Sequence, residues 1–149
     1  MCEHCGCRQF PVVGRLSEDH LRIHELSGRL RRAIRAGDDG AARGWLTELT
    51  DLLVPHVATE ESGLFAELRD DETAREFVER LCDDHDDLAA ALRPPDRERP
   101  DWKAVLAGLD RLQDHIDKEE YGVFPAAVIL LSMPAWERIT AAAAGTVRA

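Results

Sequence analysis

The sequence predicts an all-α fold: an up-down-up-down four-helix bundle, followed by a short C-terminal helix and preceded by a Cys-rich leader. Three observations carry this. Strand signals are nearly absent, since no alternating Val/Ile/Thr run occurs and no Asn-Gly or Asp-Gly joins two such runs. Apolar residues instead recur at three- and four-residue steps in four successive stretches. The connections between these stretches are short, which sets consecutive helices side by side and antiparallel.

The first helix is expected over 17–36, with Leu16, Ile23, Leu26, Leu30, Ala33 and Ile34 as its apolar stripe. Ser17 is its expected N-cap, Glu18 and Asp19 suit its first turn, and Gly37 suits its end. A second helix runs from about 40 to 69 through Trp45, Leu46, Leu49, Leu52, Leu53, Val57, Leu64, Phe65 and Leu68, with Pro55 as an expected kink. The third spans roughly 71–92 and stops at Pro94-Pro95, where RPPDRERP (93–100) forms the clearest loop. Asp101 caps a fourth helix reaching about 131, interrupted by Pro125. Ser132 and Pro134 start the tail helix. The expected organisation is a leader over 1–13, a bundle over 14–131 and a helical tail over 132–149.

Composition narrows the function. The 149 residues suit one ordinary domain. Acidic residues outnumber Lys plus Arg by 29 to 19, a net charge of −10, which disfavours a nucleic-acid or anionic-membrane surface. No apolar run approaches the ~20 residues of a membrane span. No secretory signal opens the chain, so a cytoplasmic protein with reduced thiols is expected. The basic complement is almost all Arg, a compositional hint of a GC-rich bacterial genome. Neither a phosphate-cradling glycine loop nor a catalytic triad is present. Six histidines in an acidic chain remain, and histidine with carboxylate is the ligand set of a borderline metal.

An internal repeat organises these histidines. The second and fourth helices share H-x3-E-E-x-G-[L/V]-F, starting at His56 and His115, with five identities in ten positions at an offset of 59. The first and third match more weakly through Glu18-Asp19-His20 and Asp83-Asp84-His85. Residues i and i+4 share one helix face, with Cβ atoms about 5–6 Å apart. His56 with Glu60, and His115 with Glu119, each grip one centre in this way, and a carboxylate has two oxygens with which to bridge two cations. Two such glutamates facing each other would hold metals roughly 3.5–4 Å apart. His20 and His85 would complete one metal each. The ferritin-like di-metal pattern, Glu-x-x-His at i, i+3, has the reverse order and a different step.

The order His … H-x3-E … His … H-x3-E, with the E-E-x-G-x-F ending of each half, resembles the hemerythrin-like (HHE cation-binding) family over roughly 14–131. The resemblance implies a non-haem di-iron centre, oxo- or hydroxo-bridged, that binds or senses dioxygen or a related small ligand such as peroxide or nitric oxide. It sets His20 and His56 on one metal, His85 and His115 on the other, and Glu60 and Glu119 between them. Manganese or a mixed iron–zinc pair accepts similar ligands. Peroxide disproportionation, or iron and nitric-oxide handling, are the alternative functions. Oxygen-carrying members place a second histidine four residues after the third-helix histidine, where this chain has Ala89; here His24 instead sits four past His20. His24 is thus either a fifth imidazole ligand or a residue of the bundle edge.

The remaining candidates are more local. Glu61 and Glu120 are expected as helix-surface acids, with a role in orienting a histidine as the alternative. Asp84 belongs to an acidic, solvated face. Phe65 and Phe124 are expected in the core, and Tyr121 at the surface. Cys2, His4, Cys5 and Cys7 form a candidate redox or second metal site. Cys82 is expected as a core thiol.

Overall fold

A computed structural model describes residues 6–148, with side chains described through 145. It is all-helical, and no strand occurs among the described residues. After a 3-10 turn at Cys7–Gln9, α1 spans Pro11–Arg35, α2 Asp39–Thr59, α3 Phe65–Arg69, α4 Arg75–Leu92, α5 Trp102–Lys118, α6 Phe124–Leu130 and α7 Met133–Arg148. A π-helical turn over Glu60–Leu64 joins α2 to α3, and a second over Glu119–Val123 joins α5 to α6. The chain therefore forms long helical runs at 11–35, 39–69, 75–92 and 102–130, with α7 after them.

Helix ends follow local chemistry. Gly37, at φ +70°, closes α1 in the left-handed conformation, with Asp38 N–H donating to Ala33 O at 3.0 Å. The carboxylates of Asp38 and Asp101 accept from Ala41 N and Ala104 N, capping α2 and α5. Ser132 Oγ accepts from Ala135 N at the start of α7. Asp96 Oδ1 accepts from the N–H groups of Glu98 and Arg99, pinning the 93–100 loop.

Two boundaries differ from expectation. The first helix begins at Pro11, and Ser17 lies buried inside it. Proline at N1 sets a helical φ at no hydrogen-bond cost, and Val12 and Val13 carry the apolar stripe a full turn upstream of Leu16. The third helix starts at Arg75, because Asp71 Oδ1 accepts from Thr73 N and Ala74 N and holds 71–74 as a turn. Pro55 sits in an uninterrupted α2.

Side-chain packing forms two apolar layers. One holds Val13, Leu16, Leu64, Phe65, Leu81, Val123 and Phe124, closed by Trp136 and Ile139 of α7. The other holds Ile23, Leu26, Leu30, Leu49, Leu92, Leu109 and Leu112. On α1 the sequence passes from Leu16 through His20 to Ile23, and on α4 from Leu81 through His85 to Leu88, so the buried histidines occupy the level between the layers. Cys7 is buried in the first layer and disulfide-bonded, which departs from the expected reduced thiol; Cys2, His4 and Cys5 lie outside the described residues. No helix is long and apolar enough to cross a membrane among the described residues.

Candidate metal centre

Four helices each supply one buried histidine. His20 comes from the middle of α1, His85 from the middle of α4, and His56 and His115 from the last turns of α2 and α5. One turn beyond the last two, Glu60 and Glu119 open the π turns. Each π turn closes with a five-residue hydrogen bond, Phe65 N–H to Glu60 O and Phe124 N–H to Glu119 O. Such turns concentrate at functional sites because the widened backbone re-aims the side chains it carries. Proline does not explain them: Pro55 precedes the first turn, whereas Pro125 follows the second. The shared E-E-x-G-x-F segment coincides with both. A Cβ on Gly122 would lie a tight 3.3 Å from the Phe77 ring, whereas one on Gly63 would meet Ile139 of α7 at an ordinary contact distance of 3.5 Å.

The Nε2 atoms converge. His20 and His56 face each other at 3.1 Å, and His85 and His115 at 2.9 Å. Glu60 reaches both pairs, with Oε1 at 2.8 Å from His56 Nε2 and Oε2 at 3.2 Å from His85 Nε2. Glu119 Oε1 lies 3.1 Å from His115 Nε2 and 3.5 Å from His20 Nε2. Donor atoms of His20, His56, Glu60 and Glu119 lie within 4.8 Å of one another, as do those of Glu60, His85, His115 and Glu119. The two groups share their glutamates. Both Glu60 oxygens and Glu119 Oε2 are buried without a hydrogen bond, although imidazole nitrogens lie 2.8 and 3.2 Å from the two Glu60 oxygens. Lone pairs that converge on common points and leave buried oxygens unsatisfied suit cations, so the residues fit a metal pair.

The outer ring nitrogens are each anchored by a carboxylate. Nδ1–H of His20 donates to Glu120 Oε1 at 2.8 Å, that of His56 to Asp19 Oδ2 at 3.0 Å, that of His85 to Glu61 Oε1 at 2.9 Å, and that of His115 to Asp84 Oδ2 at 3.3 Å. Ser17 Oγ donates to Glu120 Oε2, and Lys118 Nζ to Asp84 Oδ2. A carboxylate on Nδ1 fixes the tautomer whose Nε2 lone pair faces the centre. The repeat is kept in these contacts: Asp19 and Asp84 act within their own half, Glu61 and Glu120 across to the other. Phe124 stacks on His20 at a centroid distance of 5.7 Å, and Phe65 on His85 at 5.6 Å.

Charge follows from this geometry. Burial disfavours the His20 imidazolium, but Glu119, Glu120 and Glu60 outweigh it and push its pKa up to about 11. His56, against Glu60 and Asp19, and His85, against Glu60 and Glu61, rise to about 9 despite the same opposing burial. Burial alone would raise the Glu60 carboxyl; His56, His20 and His85 hold it well below its ordinary range.

The six residues expected at the centre are brought together in the two donor groups, and the outer carboxylates were read as surface acids. Glu61 and Glu120 orient histidines rather than solvating a face, and so does Asp84. Asp19 and Ser17 were missed. The repeat held the signal, since an Asp precedes the histidine in both Asp19-His20 and Asp84-His85. His24 is exposed and contacts Gln113 Oε1 at 3.2 Å, outside both donor groups. Tyr121 is 58% exposed, and Cys82 is half-buried with Arg69 donating to its sulfur. Beside the centre lies a cavity of about 240 Å³, lined by His56, Glu60, His85, His115 and Glu119 at its inner end and by apolar side chains and Ala89 elsewhere.

Comparison with curated proteins and with solved structures returns no match. The family model described as Hemerythrin HHE cation binding domain matches residues 12–127. That span contains all six inner histidines and glutamates, and by it the chain belongs to the hemerythrin HHE cation-binding family.

Proposed function

We propose that the centre holds two irons, His20 and His56 on one, His85 and His115 on the other, with Glu60 and Glu119 bridging. The observation that carries this reading is the pair of buried donor groups sharing two carboxylates, three of whose oxygens are buried without a hydrogen bond. Contacts of α1 with α2, α4 with α5 and α1 with α5 support an up-down-up-down arrangement of the four long runs around the centre.

When bound, a pair of redox-active irons supplies two electron equivalents and open positions for a small ligand: dioxygen, peroxide or nitric oxide. The chain's own part is to hold four neutral imidazoles by their outer carboxylates, to shield the rings with Phe65 and Phe124, and to keep a mostly apolar cavity against His85 and His115. The missing second imidazole at Ala89 leaves that cavity side open. A small-ligand binder or sensor is the reading best supported; turnover of peroxide by the same centre is the alternative favoured by four-histidine ligation.

Metal analysis with the near-ultraviolet spectrum under nitrogen, air and peroxide tests this. Two irons per chain with an oxidant-dependent charge-transfer band are expected, and His56→Ala and Glu119→Ala should each lose the two-metal stoichiometry. Two irons retained in both variants would refute the assignment. Oxygen evolution from peroxide by the iron-loaded protein alone would favour the enzymatic alternative.

A further inference from the structure

The cavity beside the centre is larger than a diatomic ligand needs. At about 240 Å³, part of it the space among His56, Glu60, His85, His115 and Glu119 where metal would sit, it exceeds the roughly 150 Å³ of an apolar cavity that takes up benzene and leaves room for a hydrocarbon body. Ile23, Val54, Val57, Leu88, Leu92 and Leu112 line its walls. The cavity opens to solvent, with Val54 of its lining 47% exposed, so an apolar occupant would displace water from apolar walls.

Its outer end has a different character. Along α4 the lining runs from His85 through Leu88 and Leu92 to Arg93, eight residues or about 12 Å of helix. There a second hollow of about 50 Å³ shares Thr50, Leu92 and Arg93 with the cavity and adds Arg43 and Arg97. None of these three guanidinium groups has a carboxylate partner among the described residues. The nearby Glu48 of α2 pairs with Arg22, and Asp96 is occupied by backbone N–H groups of its own loop. Three arginines without carboxylate partners, Arg43 half-buried and Arg93 and Arg97 exposed, line this adjoining hollow and give it positive charge in a chain of net charge −10.

We propose that this cavity binds a medium-chain organic carboxylate, its hydrocarbon body lying between α2 and α4 and its carboxylate held by Arg43, Arg93 and Arg97. The ligand class goes beyond the metal reading and rests on it only in stating that the inner, apolar end of the ligand faces the metal pair. The site thereby acquires an organic ligand placed end-on to a centre that also admits a small molecule.

Calorimetric titration of the full chain with octanoate, 1-octanol, acetate and inorganic phosphate tests the proposal, with metal content measured on every sample. Octanoate should bind at least tenfold more tightly than octanol, and acetate and phosphate should bind no more than weakly. The double variant Arg93→Ala/Arg97→Ala should lose about tenfold in octanoate affinity while octanol binding stays unchanged. Val54→Trp, in the exposed part of the cavity wall, should block both long ligands; circular dichroism confirms that each variant is folded. Octanoate affinity unchanged in the double variant, phosphate binding as tight as octanoate, or no octanoate binding at millimolar concentration would each overturn it. Octanoate binding to samples that take up no metal would sink the metal reading and leave this one standing.

Discussion

Which nitrogen of each inward histidine faces the centre is decided by one contact on the opposite side of its ring. Glu120 and Ser17 fix His20, and Asp19, Glu61 and Asp84 fix the other three. Replacing such an outer carboxylate typically costs 10–100-fold in metal affinity. Glu120→Gln keeps the shape and removes the charge, so metal affinity should fall by about that factor while the helical signal is unchanged; competition with a chelating dye measures it, and unaltered affinity would remove Glu120 from the network. The same carboxylates make metal compete with protons. The pKa values of His56 and His85 are raised from 6.5 to about 9, and that of His20 to about 11, so at neutral pH the metal-free rings hold protons that metal must displace. Because the folded values are raised, this network's contribution to metal-free stability is full below about 6.5 and is lost as pH rises through about 9 and then 11. Metal affinity runs the other way. The rise in Tm on adding metal should therefore grow from pH 6 to pH 9, with proton release visible in calorimetry across buffers of different ionisation enthalpy; a pH-independent gain would contradict the charge assignment. The juxtaposition of His56 with Glu60, and of His115 with Glu119, was legible in sequence because i, i+4 spacing fixes a shared face. The outer contacts were not, because pairs such as Glu61 to His85 cross between helices, and sequence neighbours of a ligand look like solvated acids until those helices are packed.

The elements differ in how tolerant they are of a single Cβ. Gly108 of α5 faces α4 so closely that an added Cβ would lie 2.9 Å from Ala91 Cβ and 3.2 Å from Leu92 Cδ2. Gly108→Ala must therefore push the two helices apart, at a cost of about 1–3 kcal/mol. Gly44, inside α2, meets nothing within 4 Å, and Gly44→Ala should stabilise by about 0.5–1 kcal/mol through the helix alone. Urea unfolding of the two variants separates these signs; equal effects would mean that the α4–α5 approach is not tight. Helix existence was readable from apolar periodicity, and the caps at Asp101 and Ser132 from local chemistry, whereas the Asp38 cap of α2 was not singled out. The π turns were not. A five-residue step leaves no mark on a 3–4 pattern once the repeat E-E-x-G-x-F is read as plain helix, and the prolines that drew the eye fall on opposite sides of the two turns. The Pro11 start of α1 was hidden for a similar reason: an Asp- and Glu-rich turn after Ser17 imitates a capped N-terminus in the middle of a helix.

At the scale of the molecule, a plate of buried histidines and carboxylates separates two apolar layers, and each layer is built by all of the bundle's long runs. The layers do not need the plate to form. The first is closed by Trp136 and Ile139 of α7, with Phe10 against Trp136 at 4.3 Å, and Arg138 tethers that helix to Glu67 through two hydrogen bonds. The second is a continuous set of Leu, Ile, Val and Ala from the four helices. In the metal-free protein the plate is still held by imidazolium–carboxylate pairs, so the helices have no cause to separate when metal leaves. What metal adds is binding free energy available only to the folded state: about 4 kcal/mol for one site at a free concentration a thousandfold above Kd. For a domain of this size each kcal/mol moves Tm by about 2–4 °C. Chelation should therefore leave the far-ultraviolet circular dichroism at 20 °C nearly unchanged while lowering Tm by roughly 8–16 °C for each site emptied. A collapse of the helical signal on chelation would mean that the two layers depend on the plate, and that metal binding and folding are one event in this chain.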